Sequence, residues 1–113
     1  MVERIENQLS DILKAASDPT RRAILTLLAQ EGAMRVTDLA DHYDMSLNSV
    51  SKHIKVLEKS GLVTRRTIGR VHLIEPNMAP IKTIDEWFNQ LRSIWEMRLE
   101  ALDNLMTKEP DND

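Results

Sequence analysis

The stretch from residue 46 to 75 constrains the fold more than any other. It opens Ser46-Leu-Asn-Ser-Val-Ser-Lys-His-Ile-Lys-Val-Leu57, with Val50, Ile54 and Leu57 at helical spacing and polar or basic residues between them. A helix turns about 100° per residue. Those three anchors therefore share a face, and Asn48, Ser51, Lys52 and Lys55 lie broadly opposite. Ser46 is a good N-cap and Gly61 a good stop. Leu62 to Thr67 and Val71 to Ile74 follow, rich in β-branched residues, around Ile68-Gly69-Arg70. That order reads as a β-hairpin, with Gly69 permitting its tight turn. A helix with one polar, basic face must therefore sit beside a basic hairpin.

The chain before this stretch reads as three helices. Ile5, Leu9, Ile12, Leu13 and Ala16 recur at helical spacing and make the first amphipathic helix. Asp18-Pro19 restarts the chain, with Asp18 as N-cap and Pro19 at the first helical position. Ala23, Ile24, Leu27 and Leu28 form the stripe of this second helix, which ends near Gly32. Thr37 is expected to cap a short third helix with Leu39, Ala40 and Tyr43 turned inward. Asp44-Met45 makes the turn into the fourth. Short helices joined by a tight turn are the helix-turn-helix pattern.

After the hairpin, Glu75-Pro76 ends the second strand and Asn77 is expected to cap a long last helix. Pro80 is tolerated in its first turn. The apolar residues of that helix run from Ile81 to Met106 and cover more than one narrow stripe. A terminal helix lying on a small domain needs only one apolar face. Two large indoles, Trp87 and Trp95, are hard to cover in so small a core. The same helix of a second subunit is the simplest partner. The plainer alternative is that the helix folds back on its own domain. The tail, residues 109–113, is polar and acidic and is expected to be disordered.

The fold class expected is mainly α with a small β-hairpin, in the order α-α-α-α-β-β-α: a winged helix-turn-helix over residues 1–108. A chain of 113 residues suits one domain, and 42% hydrophobic residues suffice for a core. The chain has no cysteine, which removes disulfides, thiolate metal sites, cysteine nucleophiles and thiol sensing together. No apolar run approaches the roughly 20 residues that cross a bilayer, and the N-terminus does not read as a signal peptide. A cytoplasmic protein with no membrane partner is expected.

The net charge of −3 argues weakly against a nucleic-acid partner, but its distribution argues for one. Residues 46–74 hold six basic side chains against Glu58 alone, a net of +5, while residues 76–113 hold four against eight acids, a net of −4. Phosphate responds to the local field, which screens over about 10 Å. Asn48, Ser51, Lys52 and Lys55 are the expected major-groove readers. Asn can pair with adenine, Lys can reach guanine acceptors or a phosphate, and Ser can donate to either. Ser46 and Ser49 lie near the helix N-terminus, which favours a phosphate. For Ser46, simple capping is the alternative. Arg65, Arg66 and Arg70 are expected to border the hairpin tip and meet phosphate or a narrow minor groove. Charge that keeps an edge strand soluble is the other reading. His53, at the edge of the core face, is expected to bond within the domain.

Asp18-Pro-Thr-Arg-Arg-Ala-Ile-Leu25, Ser51-Lys-His-Ile-Lys-Val-Leu57 with Gly61-Leu-Val63, and the Gly69-Arg70 tip together resemble the ArsR/SmtB family of winged-helix repressors. The resemblance spans most of the chain. It implies a homodimer built on the first and last helices. Here Ile5, Leu9, Ile12, Trp87, Leu91, Trp95 and Leu102 are the expected interface residues. It also implies binding to an inverted-repeat operator on double-stranded DNA, usually to repress. Many members bind metal through a Cys-x-Cys in the third helix, but the matching stretch here is Arg35-Val-Thr37. Others use His and carboxylates on the last helix, which here has no His. Its acids Asp85, Glu86, Glu96, Glu100 and Asp103 lack the nitrogen partners that favour zinc. No metal, no cofactor and no metal response are therefore expected.

A winged helix that has left DNA for protein partners is the competing class, but it would be expected to lose the basic wing. An enzyme is remote, because no glycine-rich phosphate loop and no plausible nucleophile–His constellation is present. An effector, if one exists, is unknown from the sequence. A small organic ligand beside Trp87 and Trp95 competes there with plain dimer core.

Overall fold

Asp18 and Ser46 decide where two of the helices begin. The Asp18 carboxylate accepts the Arg21 N–H at 3.0 Å, and the Ser46 hydroxyl oxygen accepts the Ser49 N–H at 3.1 Å. Each removes one of the unpaired donors at a helix start. The computed structural model describes residues 2–108, and side-chain surroundings for residues 6–107. Its elements are α1 (Val2–Ala16), α2 (Pro19–Glu31), β1 (Met34–Arg35), α3 (Val36–His42), α4 (Leu47–Lys59), β2 (Val63–Ile68), β3 (Val71–Pro76) and α5 (Ala79–Lys108). The expected helices and hairpin are all present. The tail at residues 109–113 lies outside the described residues.

Two local expectations are corrected. A two-residue strand, β1, pairs antiparallel with β3 through Met34↔Ile74 and Arg35↔Leu73, so the hairpin becomes a three-stranded sheet ordered β1-β3-β2. Two residues carry no periodicity that a sequence could show. Thr37 does not cap α3. Arg35 holds that position without a side-chain cap, and it binds Asp38 at 3.0 and 3.1 Å instead. Asn77 stands just ahead of α5. Its Oδ1 accepts the Ala79 N–H at 3.3 Å while its amide donates to the Gly61 carbonyl at 2.9 Å. Asn77 thus ties the start of α5 to the end of α4.

One core joins the elements. Ile12, Ile24, Leu28, Leu39, Val50, Ile54, Leu57, Leu62, Val63 and Ile74 are all buried, with Ile81 and Ile84 of α5 packed against them. Tyr43 is half-buried, and its hydroxyl donates to the Ala23 carbonyl at 2.9 Å, fastening α3 to α2. The turn into α4 places Asp44 at φ 52°, a left-handed conformation that Asp tolerates better than most residues.

Candidate nucleic-acid interface

α4 is fixed from below and at both ends. Val50, Ile54 and Leu57 are completely buried. Ser60, at the far end, donates its hydroxyl to the Leu57 carbonyl at 2.8 Å. Gly61 turns with φ +82°, and a Cβ there would meet Pro80 at 3.4 Å. The opposite face is open: Asn48, Lys52 and Lys55 are exposed, and Ser51 is half-buried. The helical wheel drawn from the sequence thus matches the burial. Ser46 and Ser49 are exposed at the helix start, and the Ser46 hydroxyl also donates to Ser49 Oγ at 2.9 Å. Capping is therefore what Ser46 does in the chain alone.

His53 points into the domain. Its Nδ1 lies 3.5 Å from Arg21 Nη1 and 3.9 Å from Asp18 Oδ2, with its side chain 23% exposed. The Arg21 N–H bond, and then the Arg21 charge, hold the Asp18 carboxyl below its ordinary pKa against some desolvation.

The three wing arginines part company. β2 and β3 pair from Val63↔Pro76 to Ile68↔Val71, so the tip is Gly69-Arg70. Arg65 is not at the tip. It sits across from Ile74 on the inner face and grips Glu58 of α4 with two hydrogen bonds, 3.2 and 2.9 Å. That carboxylate raises the guanidinium pKa further, despite partial burial. Arg65 therefore holds the wing to the recognition helix. Arg66 is on the outer face, with Nη2 2.8 Å from Glu75 Oε1. That oxygen is buried, and the pair is a charge contact without hydrogen-bond alignment. Arg70 is exposed at the tip, and no ion pair engages it among the described residues.

Two apolar residues on this side escaped the sequence reading. Leu47 is 51% exposed in the first turn of α4, and Ile68 is 58% exposed beside the wing tip. Leu47 borders a cleft of about 390 Å³ that Val36 and Thr37 of α3 and Arg70, Val71 and His72 of the wing also line. An exposed apolar group beside polar readers is suited to a thymine methyl. No such signal stood in the sequence: Leu47 is three residues before Val50 and seven before Ile54, so by spacing it belongs to the edge of the buried face, and only its place in the first turn leaves it open.

The expected subunit interface divides in the same way. Ile12 is completely buried in its own chain and has no surface left for a partner, so it is core rather than interface. Leu9 keeps 9% of its surface. The side chain of Ile5 lies outside the described residues. Trp87 is half-buried, with its ring centroid 5.0 Å from that of Phe88. Leu91, Trp95 and Leu102 are 45%, 57% and 48% exposed, and every residue from 91 to 107 is exposed. On the wheel, Leu91, Ile94, Trp95, Leu99, Leu102, Leu105 and Met106 share one face about 140° wide, with Met97 outside it.

A recognition helix locked by its own core, a sheet wing strapped to it by Arg65, and helix-turn-helix order define a winged helix-turn-helix DNA-binding protein. The chain matches the family described as a helix-turn-helix domain over residues 16–66. It is 32% identical over 79 residues to the transcriptional repressor SdpR of Bacillus subtilis, covering 70% of this chain and 87% of the repressor. Among solved structures, an ArsR family transcriptional regulator is 37% identical with a TM-score of 0.75, over 80% of this chain and 93% of that one. The homodimeric winged helix-turn-helix DNA-binding domain of a possible ArsR-family regulator from Mycobacterium bovis is 25% identical. Its TM-score is 0.63, over 88% of each chain. The chain belongs to the ArsR/SmtB family of winged helix-turn-helix transcriptional regulators. Among the described residues, no helix is long and apolar enough to cross a membrane.

Proposed function

We propose that the chain is a homodimeric, sequence-specific repressor that reads an inverted repeat and does not respond to metal. The observation that carries the reading is the two-sided state of α4. Its inner face is completely buried, while Asn48, Lys52 and Lys55 stand exposed beside a wing whose Arg70 has no acidic partner among the described residues. Asn48, Ser51, Lys52 and Lys55 contact bases or adjacent phosphates. Ser49 and the start of α4 meet a phosphate, with Ser46 capping the helix behind it. Arg70 and Arg66, whose side chain stays 61% exposed beside Glu75, contact the backbone, and Arg65 acts by holding the wing in place.

The dimer rests on α5. The chain exposes 8456 Å², whereas a compact monomer of 13.0 kDa exposes about 6,300 Å². The face bearing Leu91, Trp95 and Leu102 accounts for an apolar part of that excess, and a second copy covers it symmetrically. Two α4 helices on a two-fold axis then meet half-sites about one helical turn apart, roughly 34 Å. Homodimeric assembly in the M. bovis domain and the repressor name of SdpR support this reading. Lack of metal control rests on the missing cysteines and on an α5 without histidine.

A mobility-shift assay on the DNA upstream of its own gene, followed by footprinting, tests this. Asn48→Ala and Lys52→Ala should each cost about 1–3 kcal/mol of specific binding if they read bases. Arg70→Ala should weaken binding evenly across sequences and lower the salt slope by about 1. Unchanged binding in all three variants would overturn the contact assignment. Stoichiometric, reversible release by zinc would overturn the claim about metal.

A further inference from the structure

Arg21 binds three things at once. Its Nε donates to the Ala15 carbonyl at 2.7 Å and its Nη2 to the Lys14 carbonyl at 3.3 Å, both at the C-terminal end of α1. Its Nη1 reaches His53 Nδ1 of α4 at 3.5 Å. Arg22 donates separately to the Ala16 carbonyl at 2.7 Å. The last carbonyls of a helix lack intrahelical partners and carry its negative dipole end, so a guanidinium fits there. Arg22 already supplies cation and donor to that end. The distinctive part of Arg21 is its third contact, which crosses to the recognition helix.

We propose that Arg21 is a positioning residue for DNA recognition, setting the pose of α4 against α1 through the His53 ring. This rests on the DNA-binding reading above. Arg21 can only donate, so a hydrogen bond across this 3.5 Å contact uses Nδ1 as acceptor, with the ring proton on Nε2. A proton on Nδ1 turns that acceptor into a donor facing Arg21, and Asp18, at 3.9 Å, is the acidic side chain paired with it among the described residues. The charged side chains facing the ring are therefore Asp18, ahead of α2, and Arg21, within it. α1 presents the Lys14 and Ala15 carbonyls, and Lys14 also borders a neighbouring groove with Asp11 and Lys59. α4 turns slightly when the tie is lost. Base contacts suffer from a small turn, and phosphate contacts through flexible lysines do not.

The test compares wild type, Arg21→Met, Arg21→Lys and His53→Asn. Lys caps the α1 carbonyls but cannot span them and the ring together, so it keeps the fold and loses the tie. Asn places an acceptor near the Nδ1 position without titrating. The probes are a duplex selected by the wild-type protein from a random pool and a scrambled duplex. In Arg21→Lys, preference for the selected duplex should fall about fivefold or more, with scrambled binding changed less than about twofold. His53→Asn should retain its preference near pH 8.

Ring nitrogen NMR without DNA is the independent arm. The Nε2–H tautomer of His53 should dominate in wild type near pH 8 and lose dominance in Arg21→Met and Arg21→Lys. Preference unchanged in Arg21→Lys, or a tautomer indifferent to residue 21, overturns the proposal. If the wild-type protein selects no duplex, the DNA-binding reading fails, and the ring spectra alone decide whether Arg21 holds α4.

Discussion

α4 and α5 are written in the same style, an apolar stripe set among polar residues, and meet opposite fates. Past its first turn, the stripe of α4 (Val50, Ile54 and Leu57) is covered by its own chain to zero exposure. That of α5 is covered only near its start, through Ile81, Ile84 and part of Trp87, and then runs on with eight large apolar residues in the open, from Phe88 to Met106 and leaving out Met97. The contrast shows that amphipathicity says a helix has something to cover and not who covers it. α4 has its full partner set within the chain. The far stripe of α5 finds no cover among the described residues, which is why a second copy is proposed for it.

The largest effect should separate the two helices outright. Ile54→Ala opens a cavity in a closed core and should cost about 2–5 kcal/mol of unfolding free energy, read by urea denaturation. Leu102→Ala should leave the fold of the single chain unchanged. If both variants lose equal stability at high dilution, where only monomer remains, the contrast is broken.

The next effect belongs to α5 alone. Trp95→Ala with Leu102→Ala should weaken dimerisation by about 100-fold or more, as sedimentation equilibrium would show. A monomeric wild type at tens of micromolar would remove the partner from the account. Smaller still is Ser46→Ala, which should cost about 1 kcal/mol by uncapping α4, whereas Ser46→Asn should be close to neutral in the melting temperature.

The smallest effect is electrostatic. The Asp18 carboxyl is held below its ordinary pKa, first by the Arg21 N–H bond. A depressed folded value adds stability above the unfolded pKa and loses it as pH falls through the folded value. Wild type should therefore weaken slightly more than Asp18→Asn on descending below about pH 4. Parallel stability curves in that window would deny Asp18 the role.

The sequence was most legible where local rules and burial agree. Asp18-Pro19, Ser46, Gly61 and the Val50–Ile54–Leu57 spacing each follow from short-range chemistry, and the fold depends on them. What stayed hidden depends on distant neighbours. β1 exists because β3 has a free edge, which Met34 and Arg35 alone do not reveal. Arg65 resembles Arg70 in the chain and differs in space, because its alternation turns it inward onto Glu58, seven residues earlier. Ile12 lies on an apolar stripe with Leu9. Only the packing of α1 on the domain shows that Ile12 is fully enclosed while Leu9 stays at the margin.

The reach of α5 has one more consequence. Thirty residues make a rod of about 45 Å, fixed to the domain at one end. In the proposed dimer, where its far part is clasped to a second copy, the rod would work as a lever arm. A tilt of about 5° at the root swings the domain by about 4 Å over that length. The rise between successive base pairs is about 3.4 Å. An angular change too slight to alter any side-chain contact noticeably would thus slide a recognition helix out of register with its half-site.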